Sequence, residues 1–102
     1  MKVYEWEGGI EDPRIIESEM GTYIMTYTAY DGNIARLCVA SSTDLLNWPK
    51  HGLVLKDKFV DAWGKSGAIV GRQNGNRIVA EKINGKDWMY FGDTDLFMAT
   101  SD

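Results

Sequence analysis

Cysteine occurs once in the 102 residues, at Cys38, so an internal disulfide and a cysteine-based zinc site are both excluded. A lone thiol fits a reducing compartment, and the expected location is cytoplasmic. Histidine also occurs once, at His51. Asp93 and Asp95 share a turn with no histidine beside them, so no metal site is expected. No stretch approaches the roughly 18–20 consecutive apolar residues of a membrane-spanning helix, and no membrane partner is expected. The first residues, Met1 to Glu7, carry two acids and no apolar run of the kind a secretory leader needs. Basic residues number 11 against 15 acidic ones, for a net charge of -4, and they are scattered. Nucleic acid is therefore not an expected partner, because such binding rests on clustered Lys and Arg. The glycine-rich stretches do not lead into a helix with the ending of a nucleotide-phosphate loop, so no nucleotide cofactor is expected. An amphipathic helical pattern of about ten residues or more is missing as well.

What remains is a chain of short strand-like segments separated by turn residues. Gly8-Gly9-Ile10-Glu11-Asp12-Pro13-Arg14 sets two adjacent carboxylates and a guanidinium in a stiffened turn, and it delivers the chain into a strand from Arg14 to Ser18. Function concentrates on loops held by such scaffolds. Glu19-Met20-Gly21 closes a hairpin, and Thr22 to Tyr30, rich in β-branched and aromatic residues, reads as the next strand. Asp31-Gly32-Asn33 has the chemistry of a tight turn and leads into a third strand, Ile34 to Ser41. A capped turn at Ser42 to Trp48 is stopped by Pro49 before it can become a helix, and Leu53 to Leu55 follows as a short strand.

The second half echoes the first. Arg77-Ile78-Val79 matches Arg14-Ile15-Ile16, Asn84-Gly85-Lys86 stands where Glu19-Met20-Gly21 did, and Leu96 to Asp102 follows the pattern of Leu37 to Thr43. Two approximate repeats, 10–55 and 65–102, each a meander of short strands, point to a radial repeat architecture. The expected fold is all-β: a β-propeller-like assembly of four-stranded meander blades. About two blades are present in a single partial domain spanning 1–102. A closed propeller usually needs at least four blades. Open blade edges then favour a homo-oligomer.

The ordered set of motifs resembles glycoside hydrolase family 130, the β-mannoside phosphorylases and related β-mannosidases built on a five-bladed β-propeller. Its carriers are Gly9-Ile10-Glu11-Asp12-Pro13-Arg14-Ile15, the strand ending Tyr27-Thr28-Ala29-Tyr30, and Ala35 to Leu45 with Trp48 and Lys50-His51-Gly52. Lys65-Ser66-Gly67-Ala68 and Glu81 to Lys86 complete the set. The resemblance implies phosphorolysis of a β-1,4-mannosidic bond with inversion, releasing α-mannose 1-phosphate. Inorganic phosphate would be the co-substrate, with no other cofactor and an oligosaccharide as partner. It implies Asp12 as the catalytic acid, with Arg36 and Lys65 as phosphate-binding groups and Arg14 and His51 as further candidates. Glu11, Tyr30, Trp63 and Asp93 are the candidate substrate-binding residues. The chemistry is consistent: phosphate is already an anionic nucleophile, so cations that hold it replace the base an inverting hydrolase requires.

Each candidate also has a plainer reading. Glu11-Asp12-Pro13 can be a turn whose acids bond nearby amides, and Arg36 can pair with an acid on a neighbouring strand. Lys65 can be a solvated loop residue, and His51 a surface turn residue. Trp48 and Trp88 suit packing between blades, while Trp6 and Trp63 remain open to stacking on sugar rings. Cys38 reads as a small buried hydrophobe. Beside the enzyme stand two alternatives, a non-catalytic saccharide-binding module and an assembly unit.

Overall fold

A computed structural model describes residues 5, 8–55, 64–92 and 95–102. Trp6, Trp63 and Asp93 lie outside the described residues. Nine strands run in chain order: β1 (Gly9–Glu17), β2 (Tyr23–Tyr30), β3 (Ala35–Ser42), β4 (Lys50–Leu53), β5 (Ala68–Ile69), β6 (Gly71–Asn74), β7 (Arg77–Ala80), β8 (Asp87–Gly92) and β9 (Leu96–Ser101). They form a six-stranded sheet in the order β4-β3-β2-β1-β7-β6 and a three-stranded sheet in the order β5-β8-β9. No helix among the described residues is long and apolar enough to cross a membrane.

The first four strands make the antiparallel meander that the sequence suggests, with Tyr23 to Tyr30 in register against Ser42 to Ala35. Strand β2 is its centre, and both of its faces are covered. Thr26 and Thr28 are buried on one face, Tyr27 and Ala29 on the other. This is why its sequence is nearly free of charge instead of alternating. On one face Tyr27, Ala29, Cys38 and Ala40 form a cluster closed by Met25, Trp48 and Leu53. On the opposite face Leu37 meets Met89 and Phe91 of the second sheet, with Val54, Leu55, Ile69 and Ala99 around them. Full burial of a side chain of this size contributes roughly 1.5–3 kcal/mol, so this cluster joins the two sheets.

Three expectations change. Glu11-Asp12-Pro13 does not precede its strand as a turn. It lies inside β1, where the register against β2 slips between Glu11 and Arg14. Glu11 pairs with Thr28 and Arg14 with Thr26, which leaves Asp12 and Pro13 together opposite Tyr27. A bulge tolerates proline because no ladder donor is needed there. Second, the repeat expected over 65–102 is divided between the sheets. Strands β6 and β7 extend the first sheet, where β7 runs parallel to β1 at Glu17 and Val79, while β5, β8 and β9 form the second. Gly71 to Asn74, which no motif marked, is itself a strand paired with β7. Third, the strand expected at Leu53 to Leu55 is displaced to Lys50–Leu53.

The turns follow their chemistry. Asp31 accepts the amides of Asn33 and Ile34 at 2.8 Å each, and Asp44 accepts those of Leu46 and Asn47 at 2.9 and 2.8 Å. These are local side-chain turns, so Ser42 to Trp48 does not become helical. At Asn84 and Gly85, φ is 54° and 77°, the pair of positive values that the tightest hairpin turn demands.

Candidate active site

The bulge in β1 is what makes the site. Asp12 has a φ of 53°, a left-handed conformation that L-residues other than Asn and Asp seldom adopt. Together with the following proline it lifts the carboxyl out of the ladder, and Asp12 is solvent-exposed. Facing it is the loop Gly64 to Gly67, which enters the second sheet. This loop is clamped along its length. The Gly64 amide donates to the Ala35 carbonyl at 3.0 Å, and the Gly92 amide to the Lys65 carbonyl at 2.9 Å. The buried Thr26 hydroxyl donates to the Gly67 carbonyl at 2.6 Å. Gly67 is tightly packed, since a Cβ would stand 3.0 Å from the Leu37 side chain and 3.1 Å from Met89 Sδ, which would have to give way by a few tenths of an ångström.

The clamp brings two residues of this loop to the two acids of the bulge. Lys65 Nζ lies 3.0 Å from Glu11 Oε1, and Ser66 Oγ donates to Asp12 Oδ2 at 3.5 Å. Thr28, which pairs with Glu11 across the ladder, carries a buried hydroxyl with no hydrogen-bond partner among the described residues. Two carboxyl groups, a hydroxyl and a cation thus stand together, and an acid-assisted displacement at a sugar carbon calls for groups of these kinds. Ser66 was not among the sequence candidates. Its signal is its place in Lys65-Ser66-Gly67, directly after the cation expected at the site.

The other candidates lie apart or in different partnerships. Arg36 pairs in register with Ala29, and Glu11 with Thr28, so the pleat sets Arg36 and Glu11 on opposite faces of the sheet. Arg36 binds Asp31 at 2.5 Å. Three donors act on Asp31, the Ile34 amide first, then the Arg36 guanidinium and the Asn33 amide, and they lower its pKa from the ordinary 3.8 to about 2. His51 Nε2 is 2.5 Å from Ser41 Oγ. Tyr30 donates its hydroxyl to the Gly32 carbonyl at 3.1 Å. Arg14 is exposed, in register with Thr26. Among the described residues no three His, Cys, Asp or Glu side chains are grouped to hold a metal.

A cleft of about 770 Å³ opens between the two sheets, lined by apolar groups such as Ile24, Val39, Leu53 and Ile69, with His51 at its wall. Glu11, Asp12, Lys65 and Ser66 do not line it. The chemistry favours the bulge over the cleft. The bulge sets Lys65 3.0 Å from Glu11 and Ser66 3.5 Å from Asp12, whereas the cleft wall is mainly apolar, with Glu19, His51 and the Lys82–Asp87 pair at 3.1 Å among its polar groups.

Comparison with known proteins decides the lineage. The sequence model of a family described as beta-1,4-mannooligosaccharide phosphorylase, glycoside hydrolase family 130, matches residues 2–102. The chain belongs to glycoside hydrolase family 130. Among curated relatives, the 1,2-beta-oligomannan phosphorylase of Thermoanaerobacter sp. (strain X514) is 34% identical over 98 residues, which is 92% of this chain and 28% of that protein. The beta-1,2-mannobiose phosphorylase of the same organism is 36% identical over 81 residues, 76% of this chain and 22% of its own length. Among solved structures, a glycosyl hydrolase from Bacteroides ovatus superposes with a TM-score of 0.93 at 42% identity, over 99% of this chain and 29% of that one. Another is described by the statement that the GH130 family of mannoside phosphorylases contains glycoside hydrolases that target beta-1,2 mannosidic linkages in Candida mannan. It gives a TM-score of 0.90 at 42% identity, over 98% of this chain and 29% of that one. The chain thus spans less than a third of the length of these relatives, and within that share its fold is the all-β, propeller-type fold of family 130.

Proposed function

We propose that this chain carries the acid-bearing part of an enzyme that cleaves β-mannosidic bonds, with Asp12 as proton donor and inorganic phosphate as nucleophile. The observation that carries the reading is the Asp12 bulge held against the Lys65-Ser66 loop, with Lys65 within 3.0 Å of Glu11. In this scheme phosphate takes Lys65 from Glu11 and attacks the anomeric carbon from the side opposite the leaving group. The glycosidic C–O bond breaks, the proton from Asp12 reaches the leaving oxygen, and α-mannose 1-phosphate departs. Arg14, exposed on the strand that carries Asp12, remains a candidate phosphate ligand; Arg36, on the opposite face and paired with Asp31, and His51, at the cleft wall, stand apart from it. The assigned linkage is β-1,4, as the sequence resemblance implies; the two curated relatives are named for β-1,2 substrates, so both enter the test.

A second reading, hydrolysis, is favoured by one specific contact. Glu11 already neutralises Lys65, which weakens the attraction for phosphate, and a carboxylate beside the acid is a group that can activate water. One experiment separates the two. β-1,4- and β-1,2-mannobiose are incubated with the protein, with and without phosphate, beside an Asp12→Asn variant. Phosphate-dependent release of mannose 1-phosphate that is lost in the variant supports phosphorolysis. Free mannose formed without phosphate supports hydrolysis, and no turnover by folded protein leaves a binding or assembly role. Self-association belongs to the same reading. Strand β9 has one ladder partner, β8, among the described residues, and it exposes Leu96, Phe97 and Met98, so its edge suits pairing with a second copy.

A further inference from the structure

Ser66 has no assigned part in the chemistry, yet its backbone is held as unusually as that of Asp12. Its φ is 54°, against 53° for Asp12. Holding a non-glycine residue in this region costs on the order of 1 kcal/mol, and such conformations persist where the surroundings enforce them, often at functional sites. For Ser66 the enforcement is visible in the bonds of Gly64, Lys65 and Gly67 to Ala35, Gly92 and Thr26. The two strained residues, one in β1 and one in the loop that enters the second sheet, are 54 positions apart, and their side chains meet at Oγ and Oδ2.

We propose that Ser66 is a positioning residue that fixes the orientation of the Asp12 carboxyl by donating its hydroxyl hydrogen to Oδ2. The proposal rests on the reading of Asp12 as the proton donor. An oxygen that already accepts a hydrogen bond is the poorer seat for a proton, so the acid form of Asp12 carries its proton on Oδ1, the oxygen Ser66 leaves open. Ser66 thereby selects which oxygen serves the leaving group, without touching substrate itself. The bond is long, as catalytic contacts commonly are before substrate tightens them.

Ser66→Gly tests this, because glycine accepts the same backbone and removes the hydroxymethyl group that carries the donor. Thermal stability should hold or rise, so loss of function cannot be ascribed to unfolding. Ser66→Asn also tolerates the left-handed backbone and restores a donor. Two readouts are made on the full chain. The carboxyl ¹³C resonance of Asp12, compared at one pH, moves in Ser66→Gly and returns toward its original position in Ser66→Asn. With mannobiose as substrate, kcat falls about 10- to 100-fold in Ser66→Gly, the scale of a misplaced catalytic group, while KM is unchanged, and Ser66→Asn recovers part of it. An unmoved resonance overturns the proposal, as does an unchanged kcat. If the parent chain turns over no mannoside, the proposed function fails, and the resonance comparison alone decides whether Ser66 orients Asp12.

Discussion

Lys65 Nζ stands 3.0 Å from Glu11 Oε1, a contact between the loop entering the second sheet and strand β1 that joins the cation expected to hold phosphate to the residue preceding the expected acid. Both side chains are partly open to solvent, and an ion pair of this kind contributes at most about 1 kcal/mol. The pair is therefore weak enough for a competing anion to break. Replacing Glu11 with Gln should tighten binding of inorganic phosphate by up to about fivefold, and Lys65→Met should weaken it in either background. Titration of phosphate followed by calorimetry or by amide shifts near Gly64 checks this. Equal affinity in the parent chain and both variants would remove Lys65 from the anion site.

Asp31 supplies a pH dependence whose sign follows from its bonds. The Ile34 amide, Arg36 and the Asn33 amide all favour the charged carboxylate and lower its pKa from 3.8 to about 2. The stability this gives is fully present above about pH 4 and is lost as the pH falls toward 2. In Asp31→Asn that part of the acid-induced loss should vanish. Melting temperatures taken between pH 5 and about pH 2 should fall less steeply in the variant than in the parent. Parallel curves would show that the turn contributes no acid sensitivity.

Glu5 is fully buried, and its carboxylate is met by the Tyr27 hydroxyl at 2.9 Å and by Lys50 Nζ at 2.7 Å. Removing the cation leaves a buried charge under-compensated, which typically costs about 3–5 kcal/mol. Lys50→Met should therefore destabilise the fold strongly, and a second change, Glu5→Gln, should restore part of the loss. Denaturant unfolding of the single and double variants measures both steps. Additive losses would mean that the two groups do not act as a pair.

Much of the fold was legible because its signals are local. Tyr23 to Tyr30 announces a strand covered on both faces, and Asp31-Gly32-Asn33 and Asn84-Gly85 announce their turns. The partition of the second half was not legible. Whether Arg77 to Ala80 joins the first sheet or the second depends on one parallel contact, Glu17 with Val79, between residues 62 positions apart, and no local pattern encodes it. The site was half legible. Glu11, Asp12 and Lys65 carry recognisable motifs and do meet, but the faces taken by Glu11 and Arg36 are set by ladder register, and the bulge at Asp12 shifts that register by one residue. Ser66 stood inside a recognised motif, Lys65-Ser66-Gly67, but its meeting with Asp12 depends on a left-handed backbone that the motif does not announce.

The parallel junction of β7 with β1 also governs how the chain can be made. A meander such as β1 to β4 needs only neighbours in sequence and can form as soon as it is synthesised. The sheet it belongs to has two more strands, and these are supplied after the second sheet has begun at Ala68. Closing that gap carries the entropy of a long loop before any contact repays it. Strand β1 therefore gains its second ladder partner only from a segment that ends at Ala80, and the first sheet cannot be completed without residues that follow the start of the second.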